Sequence, residues 1–157
     1  WVHGGNGFGM MLLFLSSVIR RKPMRQTRGF LGALNKNVEA VERSTIQVEN
    51  CKGPMTLIVG DDDGLWPSQE YADRIAGRLK ELDWPGTVRV ECVPGAGHFV
   101  GFPYALPTLP PMRILKPASA LAFDFGGSVA ANADAARKVW RIVQEELSEW
   151  SGIVSRR

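Results

Sequence analysis

The sequence predicts an α/β fold in which parallel strands are flanked by helices. Three observations predict it. "MTLIVG" at residues 55–60 is a short apolar run ending in glycine, the pattern of a strand buried on both faces. "PSQEYADRIAGRLKEL" then places Tyr71, Ile75, Leu79 and Leu82 at helical spacing. "TVRVECV" follows and alternates, with Val88, Val90 and Cys92 on one face. Strand, helix and strand joined by short loops imply parallel strands with a right-handed crossover.

The totals are consistent with one domain of ordinary size. The chain has 157 residues, 45% of them hydrophobic and 22% charged, enough for a sizeable core and far from a disordered composition. The net charge of +3 is small, and no basic stripe with interleaved aromatics points to a nucleic-acid partner. Cys51 and Cys92 form neither a disulfide framework nor a metal spacing, and His3 and His98 lie far apart. No metal or cofactor is expected, and two buried free thiols suit a reducing, cytoplasmic setting. "FGMMLLFLSSVI" at residues 8–19 is shorter than the roughly 20 residues of a membrane span. It lacks the flanks of a signal peptide and reads as a buried segment. The terminal "SRR" is no peroxisomal address. The chain opens on Trp1 rather than methionine, in what reads as running sequence, so a fragment is expected.

Along the chain, residues 1–7 read as loop and residues 8–50 show only faint helical signal. The expected division is a variable, lid-like or connecting segment at 1–50, then a part at 51–157 carrying the chemistry. "RRKPMRQTR" at residues 20–28 reads as a solvated loop, with a patch for phosphate groups as the alternative. Pro67 and Ser68 suit a helix start, and Glu70 can pair with Arg74 one turn on. "GFPYALPTLPPMRILKPAS" after His98 reads as a loop able to line a cleft. "ANADAARKVWRIVQEELSEW" puts Ala136, Trp140, Val143, Leu147 and Trp150 on one face of a closing helix expected to pack on the sheet.

Open α/β folds bind ligands just past the C-terminal ends of their strands. "GDDDGLWPS" follows the first strand and "PGAGH" the second, so Asp61, Asp62, Asp63 and His98 emerge at one sheet edge. Three adjacent carboxylates at the end of a buried strand repel one another and resist desolvation, so either a functional acid or a solvated turn is expected there. An acid loop followed by a histidine loop fits the order Ser…Asp…His of the α/β-hydrolases. There a buried carboxylate fixes the imidazole tautomer while the imidazole takes the nucleophile's proton. The plainer readings are a satisfied histidine in a glycine turn and a solvated turn carboxylate.

"GPMTLIVGDDDGLWPSQEYADRIAGRLK", "PGAGHFVGFPY" and "FGGSVAANADAARKVW" together resemble the C-terminal part of the bile acid-CoA:amino acid N-acyltransferase / acyl-CoA thioesterase family, from about Cys51 to about Trp150. The family pattern is G-x-D-D-x-x-W-x-S, then G-H with a P-Y pair, then Gly-Gly before an alanine-rich helix. The resemblance implies the C-terminal portion of an α/β-hydrolase. It assigns the catalytic acid to Asp63, three positions before Trp66, with Asp62 as the rival, and the base to His98. It implies acyl-CoA as substrate, thioester hydrolysis or acyl transfer to an amino acid, and a Ser or Cys nucleophile upstream of this chain. Within the chain, Cys51 in "ENCKG" has Glu49 where the elbow needs glycine and precedes a strand, and Ser128 in "GGSVA" comes after His98. Asp61 and Asp62 are expected to face solvent, cap the helix near Ser68 or accept amide hydrogens in the turn. Trp66 is core or cleft wall. Phe99, Phe102 and Tyr104 line an acyl channel or anchor the loop. Two other readings stay open: a hydrolase of another ester, lactone or peptide, and a non-catalytic, hydrolase-like binding module.

Overall fold

A computed structural model describes residues 7–36, 38–100, 113–118 and 121–152. Its element order is α1 (Gly7–Arg20), α2 (Thr27–Lys36), α3 (Val38–Ser44), a 3-10 turn (Val48–Asn50), β1 (Met55–Gly60), α4 (Ser68–Glu81), β2 (Val88–Val93), β3 (Ile114–Ala118), β4 (Leu121–Asp124) and α5 (Val129–Ser151). β1 and β2 pair in parallel, from Met55 opposite Val88 to Gly60 opposite Val93. α4 connects them and packs on both. The strand–helix–strand unit therefore forms as the periodicity predicts. α4 starts at Ser68 with Pro67 as N-cap, and Glu70 pairs with Arg74 at 2.7 Å.

α5 covers the sheet face that carries Ile58 and Val93. Val93, Ala96, Ala135 and Val139 form the buried cluster, with Ile58, Val100 and Val143 packed around it. The pleat puts Thr56, Arg89 and Glu91 on the same face, and a polar seam joins them to the helix. Arg89 pairs with Glu91 and Glu146, Lys138 pairs with Glu91, and the Thr56 hydroxyl donates to Glu146. Glu91 is held below the usual carboxylate value by its bonds to Arg89 and Lys138.

The stripe expected on α5 is rotated. Asn132, Ala135, Val139 and Ile142 are buried, whereas Leu147 and Trp150 are exposed, Trp150 at 83%. The buried residues are small or β-branched, and Leu147 and Trp150 lie at the far end of the helix. Ser128, on the elbow-like "GGSVA", is the N-cap of α5 and accepts from the Ala131 amide.

Three further expectations are corrected. The stretch read as loop through Ser119 contains β3, which pairs antiparallel with β4. Pro117 lies where the register shifts between Leu115 and Ala118, the kind of site that accommodates a proline within a strand. The apolar run at residues 8–19 forms α1, whose Phe8, Met11, Leu12, Leu15 and Ile19 are exposed rather than buried. Its Met10–Leu13 side meets α2: a Cβ on Gly29 would lie 2.6 Å from the Met10 sulfur. Cys51 is exposed and Cys92 half-buried, the thiol of Cys92 pushed up by desolvation.

The basic stretch at 20–28 is more than a solvated loop. Met24 is buried, and its backbone bridges β4 through Met24 N to Ala122 O at 2.8 Å and Asp124 N to Met24 O at 3.0 Å. No helix among the described residues is long and apolar enough to cross a membrane.

Candidate active site

The parallel unit delivers both candidate residues to one place. Asp63 sits in the turn after β1, and His98 follows the turn after β2. Asp63 Oδ2 lies 3.0 Å from His98 Nδ1, with the two side chains 4% and 18% exposed. The same Oδ2 accepts from the Ser68 hydroxyl at the start of α4. The other oxygen, Oδ1, accepts from the Leu65 amide at 2.7 Å and the Trp66 amide at 3.0 Å. Both carboxylate oxygens are thus occupied by donors. Burial pushes the Asp63 carboxyl up, but the hydrogen bonds from His98, Ser68, Trp66 and Leu65 outweigh it and hold it below 3.8. A charged acceptor at Nδ1 makes that nitrogen the protonated one and turns Nε2 into the basic nitrogen.

The imidazole sits in an aromatic box. Trp66 meets it edge-on with ring centroids 4.8 Å apart, Phe99 approaches at 5.4 Å, and Phe125 stacks at 6.0 Å. Trp66, 46% exposed, is a wall open to solvent rather than core. Phe99 also packs on Phe125 at 4.7 Å, so it serves as an anchor of the histidine loop. Phe102 and Tyr104 lie outside the described residues.

The remaining aspartates hold the loops. Asp61 Oδ1 accepts from the Gly95 amide at 2.6 Å, joining the acid loop to the histidine loop. Asp62 Oδ1 pairs with Arg25 at 2.7 Å, and its Oδ2 accepts from the Gly127 amide at 2.8 Å. Of the three roles foreseen for this pair, both aspartates accept backbone amides, and Asp61 and the Asp62 side chain also remain exposed to solvent. No side chain caps α4.

The turn after β4 clasps the two loops. The Phe125 carbonyl accepts from Gly64 N at 3.1 Å and from His98 N at 2.8 Å, one residue from each loop. Gly64, Gly97 and Gly126 leave no room for a Cβ. One on Gly97 would meet the Gly126 oxygen at 2.3 Å, and one on Gly64 the Asp124 oxygen at 2.1 Å. Buried Asp124 orders this turn, accepting from the Gly126 amide at 2.9 Å and from Arg113 through both oxygens at 3.1 Å. Arg25 lies 3.9 Å from Asp124 and so bridges it to Asp62.

Sequence reasoning did not assign these roles to Ser68, Arg25 or Asp124. For Ser68 the signal was present, five residues after Asp63 in "DDGLWPS". For Arg25 the partner Asp62 is 37 residues away, and for Asp124 the pairing with Arg113 spans 11 residues.

The ion pairs make a pH prediction. Burial raises the Asp62 and Asp124 carboxyls, but the hydrogen bonds from Arg25 and Gly127, and from Arg113 and Gly126, hold both below 3.8. A carboxyl depressed by folding contributes stability above its unfolded value, which is lost as pH falls through the folded value. Arg25→Gln with Arg113→Gln is expected to raise the acid-unfolding midpoint followed by circular dichroism. An unchanged midpoint would show that the arginines do not hold these carboxyls.

An acid and a histidine meeting at the C-terminal edge of two parallel strands defines the class: an α/β protein with a hydrogen-bonded acid–histidine pair in the ligand-binding position of its sheet. The family follows from comparison with known proteins. A model described as BAAT / Acyl-CoA thioester hydrolase C terminal matches residues 20–150, and the chain belongs to that family. The match starts well before Cys51 and takes in Met24 and Arg25.

Mouse "Acyl-coenzyme A thioesterase 2, mitochondrial" is 33% identical over 103 residues, covering 66% of this chain and 22% of that protein. Mouse "Acyl-coenzyme A amino acid N-acyltransferase 1" is 31% identical over 113 residues, 71% of this chain and 24% of that protein. Human "Bile acid-CoA:amino acid N-acyltransferase" is 28% identical over 103 residues, 64% of this chain and 22% of that protein. The matched part of the chain thus corresponds to less than a quarter of each relative's length.

Proposed function

We propose that the chain supplies the acid and the base of an acyl-CoA thioester hydrolase, or of an acyl-CoA:amino acid N-acyltransferase, on an α/β-hydrolase scaffold. The observation that carries this reading is the 3.0 Å contact between Asp63 Oδ2 and His98 Nδ1 in a chain of this family. The nucleophile would be a Ser or Cys upstream of this chain. His98 Nε2 would take its proton as it attacks the thioester carbonyl, forming a tetrahedral intermediate. Collapse would expel the CoA thiolate, the protonated imidazole returning its proton to the sulfur. Water or an amine, deprotonated by the same imidazole, would then release the acyl group. Asp63 would stay ionised throughout, holding the tautomer and stabilising the imidazolium.

The relatives' names support acyl-CoA as the substrate class. They divide between hydrolysis and transfer to an amino acid, which differ only in what attacks the acyl-enzyme. The test is thiol release from acyl-CoA by the intact enzyme, with and without an amino-acid acceptor, before and after His98→Ala. Thiol release that depends on His98 supports the reading. Turnover of esters or lactones alone would move the enzyme to another substrate class.

A further inference from the structure

Asn132 is one of the most completely buried side chains among the described residues, 1% exposed, and it is polar. A buried carboxamide is costly unless its donors and acceptors are matched. Asn132 has no role in the proton transfers above, yet its two ends are committed to the loops that carry them. Its Oδ1 accepts from the Gly97 amide at 2.8 Å, next to His98, and its Nδ2 donates to the Gly126 carbonyl at 3.3 Å. A glycine makes room for it. Gly127, at φ +68°, has no Cβ, and one built there would lie 2.1 Å from Asn132 Oδ1.

The backbone around His98 is tied at successive residues. Gly95 N donates to Asp61, Ala96 O accepts from Asp62 N, Gly97 N donates to Asn132, and His98 N donates to Phe125 O. Asn132 is the one of these partners that comes from α5, a helix packed into the core cluster of Val93 and Ala96 through Ala135 and Val139. It therefore refers the histidine loop to the rigid core rather than to another loop.

We propose that Asn132 is a positioning residue for the His98 imidazole: by holding the Gly97 amide and the Gly126 carbonyl together, it sets the distance from Nδ1 to Asp63. This rests on the reading of Asp63 and His98 as the catalytic pair. A misplacement of about 1 Å at such a pair costs on the order of 100-fold in rate.

The experiment reads the His98 Nδ1 proton of the 157-residue chain by nitrogen-15-edited NMR. Asn132→Leu conserves volume and removes both the acceptor and the donor, whereas Asn132→Asp, kept protonated by its burial, retains an acceptor for Gly97 and an O–H donor for Gly126. The hydrogen-bonded Nδ1 resonance is expected to be lost in Asn132→Leu and retained in Asn132→Asp. Leu79→Ala, a core truncation in α4 away from the site, is expected to keep it, which separates positioning from general stability. A wild-type resonance in Asn132→Leu would overturn the proposal.

If the leucine variant does not fold, hydrogen exchange of the Gly97 amide in the unchanged chain decides. Exchange as slow as that of the core strands supports the proposal, and exchange at a free-loop rate overturns it. Asp63→Asn separates the two claims. A resonance unaffected by that change would sink the Asp63–His98 pair itself, whereas one lost there but kept in Asn132→Leu would sink only the role of Asn132. In the intact enzyme, Asn132→Leu is expected to lower kcat about 100-fold with KM unchanged.

Discussion

His98→Ala in the intact enzyme is expected to lower kcat about 10⁴-fold or more while leaving the fold in place. The size follows from the roles assigned to one ring. The imidazole would activate the nucleophile, protonate the leaving sulfur and activate the second attacker, so its loss removes proton transfer from both halves of the reaction. The fold is expected to persist because His98 is held chiefly through its backbone, with His98 N donating to Phe125 O at 2.8 Å whatever the side chain. The aromatic box of Trp66, Phe99 and Phe125 loses one neighbour but keeps the Phe99–Phe125 contact at 4.7 Å. Steady-state thiol release, beside a circular dichroism spectrum, reads both parts. Turnover near the wild-type rate would remove His98 from the mechanism.

The second large effect is on stability. Gly126→Ala is expected to cost roughly 3 kcal/mol or more, adding left-handed strain to overpacking, and to lower the thermal midpoint by about 10 °C. Gly126 has φ +81°, and a Cβ there would fall 1.6 Å from the Asp62 carbonyl oxygen. That contact is backbone against backbone, so no rotamer change relieves it. Relief would require the acid loop to move away from the turn, breaking the Gly127 N–Asp62 bond of 2.8 Å. Gly77, inside α4, has nothing within 4 Å of its Cβ position. Gly77→Ala is the matched control and is expected to be neutral or stabilising. Thermal denaturation of the two variants checks the contrast, and a Gly126→Ala midpoint equal to wild type would contradict it.

The strand–helix–strand unit was legible because its signals are local. The run at Met55–Gly60, the i, i+4 spacing of Tyr71, Ile75 and Leu79, and the alternation at Val88–Val93 each depend on neighbours in the chain. With those elements in place, topology alone sends Asp63 and His98 to one edge, and the side chains do meet there. What escaped reading depends on partners far along the chain. Arg25 acts on Asp62, 37 residues away, and Asn132 on Gly97, 35 residues away, and no local pattern encodes either pairing. The orientation of α5 escaped for a related reason. Apolar spacing alone favoured the stripe with Trp140, Leu147 and Trp150, whereas the buried stripe is the neighbouring one of Asn132, Ala135, Val139 and Ile142, which includes a polar residue that apolar spacing does not count. β3 escaped because Lys116 and Pro117 are poor strand formers, and their cost is tolerable only in a short, irregular hairpin.

The crowding of Asp61, Asp62 and Asp63 also resolves in these terms. Each carboxylate accepts from a different donor set: the Gly95 amide for Asp61, Arg25 and the Gly127 amide for Asp62, and His98, Ser68 and two amides for Asp63. Separate partners offset the repulsion that three adjacent charges would otherwise bring to the end of a strand.

The central claim, that Asp63 and His98 activate a nucleophile against an acyl-CoA thioester, is tested most directly by trapping the acyl-enzyme. The intact enzyme is mixed with acyl-CoA, quenched in acid on the millisecond to second scale and examined by peptide mass spectrometry. An acyl group is expected on a Ser or Cys upstream of residue 1, formed about 10³-fold or more slowly in His98→Ala. An acyl-enzyme that forms as fast without His98, or thiol release with no acyl-enzyme at all, would contradict the claim.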